Sequence, residues 1–274
     1  MYNLQVIYTL SGEKAVKDYR KLNNQPLRFV LAEFRFSQVM DIQAFIPKIQ
    51  ESLRRQYPNT EKKVEQVVQI QPNTIATTGI DHWSFTSADK KNAIDIHQDR
   101  LIYATSNYPR FGAFSDACET ALNIIAKIVE PSLIRRIGLR YGDLITVKDG
   151  DKASDLVDTH FIYPDCISTL GNTSHQKTET FINTELGGLA IRSLYGIHNL
   201  TYLPDIRNIP IDIELDETSS ERIVLDFDHF WEAKHESTPF KTTDILNTLE
   251  SLHTTSREAF WQVTTDYARN KRWA

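Results

Sequence analysis

The stretch 135–145, RRIGLRYGDLI, constrains this chain more than any other. Ile137, Leu139, Tyr141 and Ile145 alternate with Arg136, Gly138, Arg140 and Gly142, the period of two that marks a half-buried strand. The stretch 27–36, LRFVLAEFRF, follows Pro26 and is largely apolar on both faces, as a central strand covered on both sides would be. Each of these strands opens a run of similar order, so 135–145 closes one half of the chain and begins another.

In the first half, Ile42, Phe45, Ile46, Ile49 and Leu53 recur at helical spacing, with Asp41 as N-cap. Pro47 would cost about 3 kcal/mol inside a helix, which moves the expected start to Pro47 itself. Strands are expected over 64–70, 82–88, 93–98 and 100–108, joined by tight polar connections as an antiparallel meander. A helix over 115–130 carries Phe114, Ala117, Ala121, Ile124, Ile125 and Ile128 as its buried stripe, and Pro131 stops it. The second half repeats the order: the 135–145 strand, a weaker helical stretch at 151–161, then strands at 176–185 and 189–198. Gly187-Gly188 between them offers the positive φ of a tight hairpin. Further strands are expected around 211–215 and over 222–231. A long helix from Thr243 then places Ile245, Leu249, Leu252, Phe260 and Val263 on one face.

Neither half shows the strand–helix alternation of a parallel sheet. The expected fold class is therefore α+β: internally duplicated strand–helix–meander–helix units forming an antiparallel sheet covered by long helices. The expected divisions are an N-terminal extension at 1–25, a first half at 26–134 and a second at 135–274. With 274 residues, 41% hydrophobic and 24% charged, the chain has enough material for a sizeable core. A net charge of −5 gives no general attraction to nucleic acid, and no run approaches the ~18–20 apolar residues of a membrane span. The N-terminus has no signal-peptide pattern, and Cys118 and Cys166 are too few for a disulfide framework, so a cytoplasmic setting with reduced thiols is expected.

Four polar residues stand out as a binding site. Glu33 and Arg35 share a face of the first strand, and Tyr141 and Asp143 share a face at the corresponding end of the second. If those strands pair, the four groups meet in one polar pocket; the competing reading is an ion pair at a sheet end. Asp226 and Asp228 share a strand face and have the spacing to hold Mg²⁺ or Mn²⁺, although aspartates on an edge strand also discourage aggregation. Asp95 and His97, with Asp81-His82, offer a second carboxylate–imidazole combination in the meander; Asp95 and His97 share the side opposite Ile94 and Ile96, so an exposed polar face accounts for them. His253 lies beside the apolar stripe of the last helix, where a packed or surface histidine is the ordinary reading. Cys118 falls on an apolar helix face as a core thiol. The ten glycines form no phosphate loop, and no serine sits in a nucleophile elbow.

The 27–36 strand, the His82-Trp83-Ser84-Phe85-Thr86-Ser87 segment, RIGLRY at 136–141 and Leu225-Asp226-Phe227-Asp228 with the helix after it together resemble a sporadically distributed bacterial family of uncharacterised proteins. The resemblance spans roughly 26–265. Members usually continue RIGLRY with Ile-Asn, where this chain has Gly142-Asp143. The resemblance implies a fold and a patchy bacterial distribution suited to accessory or conflict systems, and it carries no catalytic residue. Two function classes stay open: a non-catalytic sensor or adaptor binding a small ligand or a protein partner, and a metal-assisted hydrolase using Asp226 and Asp228. The first implies no cofactor.

Overall fold

At the centre of the molecule β1 (Leu27–Phe36) lies antiparallel to β6 (Ile134–Thr146), with Tyr141 opposite Val30 and Gly138 opposite Glu33. The computed structural model describes residues 19–274 except 72, 73, 164, 172, 207, 208, 216, 235 and 236; the side chains of 67–71, 74–78, 165 and 168 are also outside the description. The other strands are β2 (Asn59–Gln71), β3 (Thr74–Thr86), β4 (Asn92–Ile96) and β5 (Arg100–Thr105) in the first half of the chain. β7 (His175–Asn183), β8 (Gly188–His198) and β9 (Ser220–Glu232) follow in the second. They form one nine-stranded sheet in the order β2-β3-β4-β5-β1-β6-β9-β8-β7, with every pairing antiparallel.

This corrects the expected fold class. The molecule is mostly a single sheet, with strand at 37% and helix at 31%, and it is not a sheet covered by long helices. Among the described residues only α2 (Phe111–Ile128) and α4 (Thr242–Val263) are long helices, whereas α1 (Ile46–Leu53) spans eight residues and α3 (Ala153–Leu156) four. The physical reason lies in strand length. β2, β3, β6 and β9 each run for 13 residues, so the antiparallel ladder dominates, and the helices pack on one face alone.

On that helix face α2 buries Phe114, Cys118, Leu122 and Ile125, and α4 buries Ile245, Leu249 and Leu252. They pack against Val30, Phe34, Ile94, Leu101, Ile137 and Leu139 of the sheet. α2 begins at Phe111, earlier than the serine and aspartate at 115 and 116 suggest, directly behind the Pro109 turn. α1 does carry Pro47 in its first turn, where the missing N–H has no helical acceptor to lose.

The opposite, open face has no strand at 211–215. The described residues of this stretch, 199–206 and 209–215, lie as a strap instead, and its Ile206 and Ile211 cover Phe29, Ala93 and Ala104. The apolar alternation that resembled a strand serves this packing. Gly187 also differs from expectation. It is needed for space, since a Cβ there would lie 2.2 Å from the Phe230 carbonyl oxygen.

Of the N-terminal extension, residues 1–18 lie outside the described residues. Tyr19 stacks edge-on against Trp261 at 5.0 Å, and the Asn24 amide donates to the Trp273 carbonyl at 3.2 Å, so 19–25 run beside α4 and the C-terminus. Among the described residues no helix is long and apolar enough to cross a membrane.

Candidate functional site

Strand alternation sends Tyr141 and Asp143 of β6 to the helix face, beside Phe227 and Leu225 of β9. Above them α4 presents His253 and Arg257, one turn apart on the same side of the helix. The start of α2 completes the enclosure, with Phe111 lying flat on the His253 imidazole at 4.0 Å between centroids and 2° between planes. Together with the 19–27 segment these elements bound a cleft of about 370 Å³, within the size range of small-molecule sites.

The polar groups of the cleft are unevenly satisfied. The Tyr141 hydroxyl and His253 Nδ1 share a hydrogen bond of 2.7 Å. Burial pushes the His253 imidazole down to about 3, with Arg257 as a second cause, so the ring is neutral at physiological pH. Asp143 is buried and makes no hydrogen bond or ion pair among the described residues. Its carboxyl is pushed up to about 8, first by burial and then by the charge of Asp226, against a lowering by Arg28. At neutral pH it is therefore largely a neutral carboxyl with an O–H to donate. Arg257 likewise has no hydrogen-bond or ion-pair partner among the described residues. Its Nε is buried and bare, and the guanidinium rests 4.5 Å above the Tyr19 ring. Arg20, Lys21 and Arg110 add positive charge around the mouth, against Glu250. The first turn of α2 brings its amides to the same wall without a side-chain cap.

The expected four-residue pocket does not form. Tyr141 and Asp143 line the cleft, whereas Glu33 and Arg35 project from the open face. The cause is register: Glu33 stands opposite Gly138, an odd number of residues from Tyr141, and one residue changes the face. Glu33 there accepts from Arg35 Nε at 2.8 Å and from Arg136 Nη1 at 2.6 Å. Gly142, on the same face, admits no helix. It accommodates the Phe29 ring, which a Cβ would meet at 2.0 Å.

Asp226 and Asp228 also face the open side. Asp226 accepts from Arg140 Nε at 2.7 Å and from Arg192 Nη1 at 3.0 Å, one guanidinium on each oxygen, while Asp228 lies 3.5 Å from Arg192. These carboxylates already have cations. His229, on the opposite side of β9, is satisfied at both nitrogens by Thr184 and the Leu252 carbonyl. Cys118 is fully buried and its thiol is pushed upward by burial.

Sequence reasoning passed over Arg257, Tyr108 and Phe111 and took His253 as ordinary packing. The available signal was the aromatic and basic run Tyr108-Pro109-Arg110-Phe111 at a strand-to-helix junction, a place where loops carry function. A scan against protein-family models and a search of curated proteins find no match for this chain.

Proposed function

We propose that this is a non-catalytic binding protein whose ligand is a small anion with a planar, apolar portion, held in the cleft between α2 and α4. The observation that carries this reading is Arg257, a half-buried guanidinium inside a cavity with no carboxylate to answer it. An unpaired cation in a partly desolvated site is costly unless an anion arrives. The flat Phe111–His253 stack, with Tyr108 beside it, offers a surface for a ring. Asp143 and His253, both neutral at physiological pH, add a hydrogen-bond donor and an acid–base-inert imidazole.

The hydrolase alternative is less well supported, because both Asp226 oxygens already accept from arginines. A sensor or adaptor role in a bacterial accessory or conflict system is what the sequence resemblance implies and belongs to this proposal. Native mass spectrometry of freshly purified chain tests the reading, together with thermal shifts against mononucleotides and aromatic carboxylates. The expected result is a co-purifying anion, or a raised melting temperature with one of these classes, that Arg257→Met abolishes. The bare mass together with no shift across the panel would refute it.

A further inference from the structure

On the open face of the sheet, far in sequence from the cleft residues of β6 and α4, a second set of polar groups lacks partners. Ser84 of β3 pairs with Asp95 of β4, and Trp83 pairs with Ile96, so His82 comes opposite His97 just beyond the end of the ladder. Alternation then points His82, Ser84, Asp95 and His97 to one side. Asp95 is 6% exposed and His97 5%, which corrects the expectation of an exposed polar face. The two imidazoles stack at 4.4 Å with 14° between planes.

Within this cluster His82 Nδ1, Ser84 Oγ, Asp95 Oδ1 and His97 Nδ1 are all buried without a hydrogen bond. The nearest charged approaches are 3.9 Å from His82 Nδ1 to Asp95 Oδ2 and 3.8 Å from His97 Nδ1 to Glu65 Oε2, both too long for hydrogen bonds. Folded proteins leave few such atoms unsatisfied, and four at one place call for an explanation. The contrast with His229, satisfied at both nitrogens by the Thr184 hydroxyl and the Leu252 carbonyl of α4, shows that the fold can saturate a buried histidine.

We propose that His82, Asp95 and His97 bind one divalent transition-metal ion of the Zn²⁺ class. One donor atom from each of the three lies within 4.8 Å of the others, as a shared ion requires. Two imidazoles and a carboxylate suit Zn²⁺ and its first-row neighbours better than Mg²⁺ or Ca²⁺, which prefer all-oxygen shells.

The surrounding charges leave room for a cation. Arg100 is engaged by Glu65 at 2.8 Å and lies near Asp99 and Glu33, Arg35 is engaged by Glu33, and Lys63 by Glu61. Among the described residues Asp95 has no ion-pair approach closer than the 3.9 Å to His82 Nδ1. Three protein ligands leave a coordination position for water or for Glu65, which sits at the edge of the cluster. The ion would tie β3 to β4 where their ladder is only four residue pairs long, so its expected role is to hold this corner of the sheet.

The test is titration of Zn²⁺ alone into chelator-stripped full-length chain, in competition with a chromophoric chelator. One Zn²⁺ per chain is expected, with a raised melting temperature and an affinity that falls as the solution is acidified. His82→Gln and Asp95→Asn should each weaken binding by roughly 10–100-fold or more. Imidazole NMR signals of the unaltered chain give a readout that does not depend on the variants folding. Of its eight histidines, His82 and His97 should shift in step with Zn²⁺. Absence of stoichiometric binding, or shifts confined to other histidines, would overturn the assignment.

Discussion

The two faces of the sheet treat their charged groups in opposite ways. On the open face Glu33 is shared by Arg35 and Arg136, and Asp226 by Arg140 and Arg192, so each charge is neutralised at hydrogen-bond distance. On the helix face, a few residues along the same β6 strand, Asp143 and Arg257 line one cleft and neither has a polar partner. The difference separates charges that hold the sheet together from charges that await something else. A buried pair is destroyed at high cost by removing one member, whereas an unpaired group can be removed at little cost or even a gain.

The largest effect is therefore expected on the open face. Asp226→Ala removes the carboxylate that Arg140 and Arg192 share, leaving Arg140 with Asp205 and Arg192 with Glu179 and Asp228, and should lower the urea unfolding free energy by about 3 kcal/mol. A loss below 1 kcal/mol would mean that solvent already screens this network.

Asp143 should behave in the opposite sense, through pH. An acid whose folded value is near 8 binds its proton more tightly in the native state than in the unfolded chain. Its contribution to stability is thus fully present below about pH 4 and is lost at about 1.4 kcal/mol per pH unit as the pH rises toward 8. Asp143→Asn should remove that slope and leave the protein more stable at pH 8 than its parent. Parallel pH profiles for the two proteins would place Asp143 in contact with solvent or a cation.

Two glycines sharpen the same contrast on a smaller scale. Gly142→Ala pushes a methyl into the Phe29 ring on the open face and should cost about 1–3 kcal/mol. Gly112→Ala, in the first turn of α2 at the cleft, meets no atom within 4 Å and should leave the unliganded fold unchanged or slightly more stable, by at most about 1 kcal/mol. Equal losses in chemical denaturation would erase the distinction between a filled face and an open cleft.

Much of the strand and helix placement was legible from short-range pattern. The alternation in LRFVLAEFRF and RRIGLRYGDLI, and the stripes of α2 and α4, are local signals that the sheet and its core use directly. What was not legible depended on partners distant in sequence. Glu33 meets Gly138 rather than Tyr141 because of a register that no local pattern encodes. The apolar residues at 211 and 213 alternate like a strand yet cover Phe29, Ala93 and Ala104 from a strap. Asp95 and His97 were placed on the correct side of β4, opposite Ile94 and Ile96, but their burial comes from neighbours on β2, β3 and β5. His253 looked like packing because the residues that give it a role, Phe111 and Tyr141, arrive from α2 and β6.

The most direct test sets one arginine from each face against the other. Arg192→Met removes a guanidinium held by Glu179 and Asp226 and should lower the urea unfolding free energy by more than about 2 kcal/mol. Arg257→Met removes one with no carboxylate partner and should change it by less than about 0.5 kcal/mol in either direction. Equal destabilisation by the two substitutions would show that Arg257 is as much a part of the fold as Arg192, and the account of the cleft as a site waiting for an anion would be wrong.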